Sequence, residues 1–116
     1  MSRTPQLNFL KDGDCMSTLM IFIDWARHIK IRKTKEMREI KLTESATTEN
    51  PSARIDIDME GTVSRITCWE TGDYDAEVID FDAEQTIYSI HGTLQVGKSM
   101  SDQFLQFFEA IGLEVE

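Results

Sequence analysis

Two cysteines, two histidines and two prolines are all that this 116-residue chain contains of three residue types that commonly mark a site or a scaffold. Cys15 and Cys68 alone make no disulfide framework and no metal-ligand spacing. His28 and His91 stand without a nucleophile or a ligand series beside them, so neither reads as a catalytic base. There is no phosphate loop, no Cys-x-x-Cys and no nucleophile elbow. The carboxylate pairs Asp56-x-Asp58 and Asp73-x-Asp75 lack the liganding series of a calcium loop. No catalytic residue, cofactor or metal is therefore expected. Long apolar runs are missing too. LMIFI at 19–23 is far short of a membrane span and is followed by Asp24. The segment MSRTPQLNFLKDGD lacks the apolar centre of a secretory signal, and a reducing cytoplasm is the simplest expected location. Positive charge is also scarce: 12 Lys and Arg against 21 Asp and Glu give a net charge of −9. That balance argues against general binding to nucleic acid or to an anionic membrane surface.

What the chain does have is enough apolar residue for one core, at 41% of the sequence, and an uneven charge distribution. From Ser17 to Thr43 seven Lys or Arg face three acids; from Glu44 to Glu116 three face sixteen. A basic first part, at +4, thus precedes an acidic remainder at −13. Residues 1–14 read as a poorly ordered leader with Pro5 and an Asp-Gly-Asp cluster, ahead of a single domain over 15–116. Leu19, Phe22, Ile23, Ala26 and Ile29 follow helical spacing, which predicts a helix over 17–36, with EIKLTES at 39–45 as a competing short strand. Trp25 beside that stripe reads as core or its rim. Three or four strands follow. Ile55, Ile57 and Met59 alternate with Arg54, Asp56 and Asp58; Ile66 and Cys68 with Arg65, Thr67 and Trp69; Ala76 and Val78 with Asp75, Glu77 and Ile79. A weaker strand falls around 86–94. At the end, Ser99 with Asp102 resembles a capping box, and Phe104, Leu105, Phe107, Phe108 and Ile111 form an apolar stripe closed by Gly112. The expected fold is α+β: an N-terminal helix, an antiparallel β-meander of three to five strands, and a C-terminal helix packed on one sheet face.

The hairpin WETGDYDAEVIDF carries Glu70, Asp73, Asp75, Glu77 and Asp80, although acids are poor strand formers. A three-residue loop Thr71-Gly72-Asp73 pairs Cys68 with Ala76 and Ile66 with Val78, keeping one face apolar. That register sets Trp69 opposite Asp75 and Thr67 opposite Glu77. With Asp56 and Asp58 on the preceding strand, the outer face is predicted to be acidic, with one large aromatic near its centre. Solvation alone can account for acids on an open sheet face. An exposed Trp among carboxylates points further, to an interface anchor.

The pair Phe22-x-x-Trp25, the strand start NPSARIDID, the hairpin VSRITCWETG and the acidic run Asp75–Asp80 together resemble the TriTu family of bacterial immunity proteins, over about residues 19–112. That resemblance implies an immunity protein of a polymorphic or contact-dependent toxin system, with no catalytic residues to carry over. Its implied partner is the C-terminal domain of a cognate toxin, expected to be a nuclease with a basic cleft. Trp69, Glu70, Asp73, Asp75, Glu77, Asp56 and Asp58 are the expected partner-binding residues of a monomer or weak dimer. A small acidic secretion chaperone or adaptor is the alternative; it would need an exposed apolar groove, to which Met100, Phe104 and Phe107 could contribute. A small enzyme using His28 or His91 ranks last.

Overall fold

In a computed structural model, residues 17–34, 37–45 and 49–116 are described. The expected leader, 1–14, lies outside them. Helix α1, Thr18–Arg27, starts at Ser17, whose Oγ accepts from the Met20 amide at 3.2 Å. It buries Leu19, Phe22 and Ala26 and stops at His28, well short of the predicted residue 36. The chain then turns extended, as strand β1 (Ile31–Thr34) and strand β2 (Met37–Ser45). The physical reason lies in the spacing: after Ile29 the helical stripe ends, and Ile40 and Leu42 recur with the period of two that suits a strand. The competing strand at 39–45 is the one that forms.

Strands β3 (Ser52–Met59), β4 (Thr62–Trp69), β5 (Asp73–Asp80) and β6 (Gln85–Thr93) complete a five-stranded antiparallel sheet in the order β2-β3-β4-β5-β6. The expected meander is present, and β3 alternates perfectly between buried Ala53, Ile55, Ile57, Met59 and half-buried Ser52, Arg54, Asp56, Asp58. Ser64 is the buried polar side chain of the inner face, and its hydroxyl donates to the Ile57 carbonyl at 3.2 Å. After the sheet, Ser99 caps a short helix α2 (Met100–Gln103) by accepting from the Asp102 amide at 3.1 Å. A kink at Phe104 leads into helix α3 (Leu105–Ile111). Gly112, at φ 74°, ends it in the left-handed conformation that glycine adopts without a Cβ clash. The last strand, β7 (Leu113–Val115), was not expected from the sequence; it pairs antiparallel with β1 as a separate two-stranded sheet.

The helices lie against the inner face, α1 over β3 and β4 and α3 over β5. Phe22, Phe104, Phe107, Phe108 and Ile111 are buried in one cluster with Ile55, Ile66, Cys68, Ala76 and Val78. Their rings form a chain: Tyr74 meets Phe104 edge-on at 5.0 Å, and Trp25 touches Phe22, Phe104 and Phe108. The Trp25 indole is half-buried and donates to Ser101 Oγ at 3.3 Å, so it sits at the core's rim. Leu105 departs from the predicted stripe: it is 51% exposed, because it lies about 200° around the helix from Phe107. Met100, Phe104 and Phe107 are buried, so they do not line the exposed apolar groove a chaperone reading would use.

Candidate partner-binding face

The β4–β5 hairpin slides by two residues from the predicted register. Ile66 pairs with Ala76 and Cys68 with Tyr74, while Thr67 faces Asp75 and Arg65 faces Glu77. Both registers keep apolar residues on one face, since a shift of two preserves the alternation. What selects the observed one is the turn: the Gly72 amide donates to the Trp69 carbonyl at 2.9 Å with Gly72 at φ 93°, so the tight bend falls one residue earlier than Thr71-Gly72-Asp73. Tyr74, in phase with Ala76 and Val78 on the inner face, now lies opposite Cys68. Its ring covers Gly92, where a Cβ would lie 2.9 Å from the Tyr74 hydroxyl. Trp69 consequently does not face Asp75. It is half-buried, pairs with Ser52, and lies at the turn end of the sheet rather than near its centre.

The outer face is not uniformly acidic either. Its middle row runs Lys41, Asp56, Arg65, Glu77, alternating in sign across four strands. Asp56 is held from two sides, by Arg54 Nε at 2.8 Å and Arg65 Nε at 3.5 Å. Lys41, Arg54 and Arg65 thus answer part of the acidic charge. The alternation in the sequence already sets Arg54 and Arg65 on this face, and Lys41 joins them by pairing with Asp56. Asp58 lies nearer the β3–β4 turn, paired with Glu39 and Val63. Together with Lys41, Asp56 and the 69%-exposed Phe81 it lines an open depression of about 660 Å³.

The acids concentrate instead along β5. Asp73, Asp75 and Glu77 point outward at successive alternate positions, spanning about 13 Å. The Leu94 amide donates to the Gly72 carbonyl at 2.9 Å, which fixes the phase of the β5–β6 ladder. Asp73/Thr93, Asp75/His91 and Glu77/Ser89 are then the pairs without mutual backbone bonds, where side chains approach most closely. The chemistry follows that geometry. Thr93 Oγ1 donates to Asp73 at 3.0 Å, Thr71 Oγ1 to its other oxygen at 3.2 Å, and His91 Nδ1 is hydrogen-bonded to the Asp75 carboxylate. The Asp75 hydrogen bond and charge, with a further contribution from Asp73, hold the His91 pKa above its ordinary 6.5. Glu70, exposed in the turn, and Trp69 close the ridge at one end. Asp73, Asp75, Glu77, Trp69 and Glu70 are therefore brought together, while Asp56 and Asp58 sit on β3, two strands away.

His28 is exposed at the end of α1, where its Nδ1 meets the Asp24 carbonyl at 2.8 Å. Burial, aided by the Asp73 charge, pushes the Cys68 thiol up to about 12, which keeps it protonated and a poor nucleophile. Among the described residues no group of three or more His, Cys, Asp or Glu could hold a metal ion. No helix among them is long and apolar enough to cross a membrane.

The helices cover one face of the small sheet and leave the second face open and charged. The family model described as "Immunity protein TriTu" matches residues 20–110. The chain belongs to this family of immunity proteins, whose role is toxin immunity. A search of curated proteins finds no match.

Proposed function

We propose that this immunity protein inhibits a nuclease toxin domain by occupying its basic cleft, one molecule to one, without turnover. The observation that carries the proposal is the β5 ridge: Asp73, Asp75 and Glu77 in one outward row, ended by Glu70 and the half-buried Trp69. Aligned carboxylates on a rigid sheet offer a cleft of Lys and Arg the charge it evolved to hold in phosphates, and they steer encounter from a distance. Trp69 supplies apolar contact area at the ridge's end, the kind of anchor that dominates interface energies. Asp58 extends the contact toward the depression. Asp56 contributes less, because Arg54 and Arg65 already share its charge. The protein acts as a single domain in the cytoplasm, as a monomer or weak dimer, and needs no cofactor.

The experiment is a titration of the purified protein into the C-terminal domain of the toxin encoded beside it, with nuclease activity as the readout. Activity should fall linearly and vanish at a one-to-one ratio. Complete inhibition by a small fraction of an equivalent would mean turnover. A tight complex that still cleaves would place the contact away from the cleft.

A further inference from the structure

The two edges of the sheet are guarded differently. The β2 edge, MREIKLTES, carries Glu39, Lys41 and Glu44, charges of the kind that discourage strand addition. The β6 edge, QTIYSIHGT, has no Asp, Glu, Lys, Arg or Pro over its nine residues. Among the described residues β6 pairs with β5 alone. The ladder phase fixed by the Leu94–Gly72 hydrogen bond turns the N–H and C=O groups of Ser89, His91 and Thr93 away from β5, toward the edge. All three residues are exposed. On the inner side of the same edge Ile90 is 39% exposed, while Ile87, 50% exposed, sits at the bulge.

We propose that the β6 edge accepts a strand from the toxin domain, extending the sheet to six strands by backbone pairing at Ser89, His91 and Thr93. The inference rests on the immunity reading and adds where and how the partner docks. Charge and alternation define the incoming strand. Its outward residues would lie beside Ser89, His91 and Thr93, with Glu77, Asp75 and Asp73 one strand behind, so they should be Lys or Arg. Its inward residues would continue the apolar side of the edge at Tyr88 and Ile90. Strand addition of this kind takes affinity from main-chain hydrogen bonds and specificity from alternate side chains. A second copy of this chain fits poorly. Pairing two β6 edges would bring the two acidic ridges onto one face about 14 Å apart, three strand spacings, in molecules that each carry a net charge of −9.

The test is amide hydrogen exchange, residue by residue, on the full chain alone, with the toxin domain encoded beside it, and with a synthetic nine-residue peptide alternating Lys and Val. Alone, the Ser89, His91 and Thr93 amides should exchange at least tenfold faster than those of Tyr88, Ile90 and Gly92. The toxin domain should slow the first set tenfold or more, and Ser89→Pro, which removes one outward donor, should weaken binding tenfold. Ser89→Lys, which keeps the backbone and sets a like charge against the basic strand, provides the same reading if the proline variant does not fold. Slow exchange of these amides in the free protein would show the edge already covered and overturn the proposal. Toxin binding that leaves them unchanged would overturn it while sparing the immunity reading. Protection by the peptide without any toxin binding would keep the strand-accepting edge and overturn the toxin assignment. Protection by neither would end both.

Discussion

The two faces of the sheet are built from the same strands, residue by alternate residue, yet they follow different rules. On the inner face Ile55, Ile57, Ile66 and Val78 are all within 1% of full burial, and identity there is dictated by packing against Phe22 and Phe107. On the outer face Lys41, Asp56, Arg65 and Glu77 alternate in sign, and β5 alone presents three acids in a row. The inner face explains why the chain folds; the outer face has more charge order than solvation requires. Acids are answered by Arg54 and Arg65 around Asp56 on β3 and are densest on β5, the row that we propose meets the toxin.

Substitutions on the two faces should therefore fail in different assays. The largest effect belongs to the inner face. Phe107→Ala should lower unfolding free energy by about 3–5 kcal/mol, read by urea denaturation, because it empties a fully buried site under α3. An unchanged denaturation midpoint would mean that α3 is not part of the core. Next comes Trp69→Ala, which should leave most of the stability but cost toxin binding about 2 kcal/mol or more, mainly through faster dissociation. Surface plasmon resonance separates the rates, and a wild-type dissociation rate would reduce Trp69 to a cover for the hairpin end.

How far these faces can be read in advance depends on what each residue answers to. Burial follows a period of two, so the inner sets of β3, β4 and β5 were legible from the sequence. The helix caps at Ser99 and Gly112 were equally plain, since each has one local partner. The register of the hairpin was not legible, because a slide of two residues preserves every face and only the Gly72 turn geometry separates the choices. The end of α1 was hidden because a run of Lys and Arg carries no period. Extended backbone after Ile29 answers instead to β2's pairing with β3 and β1's pairing with β7, and the second of these is distant in sequence. Strand β7 and the clasp of Arg54 and Arg65 on Asp56 likewise depend on neighbours supplied by the fold.

A smaller effect sharpens the boundary between the faces. Gly92→Ala should cost about 1–3 kcal/mol in thermal or urea unfolding, since the new methyl meets the Tyr74 ring, which Phe104 holds edge-on. A Gly92→Ala variant as stable as wild type would show that Tyr74 yields freely. The smallest effect is a pH dependence on the outer face. His91 has a raised folded pKa, so its link to Asp75 stabilises the native state fully below about 6.5 and is lost as pH rises through that folded value. Stability of His91→Gln and wild type, compared from about pH 5.5 to about pH 8.5, should show a difference that shrinks as pH rises. A difference that grows with pH would reverse the assignment of the ion pair.

The most direct test of the β5 ridge as the partner surface is the double charge reversal Asp75→Lys with Glu77→Lys, measured for toxin-domain binding at low and moderate salt, with circular dichroism confirming the fold. The folded variant should associate more slowly and bind more weakly, and the deficit should narrow as salt screens the lost attraction. Wild-type affinity at both salt concentrations would contradict the ridge and move the interface to another surface.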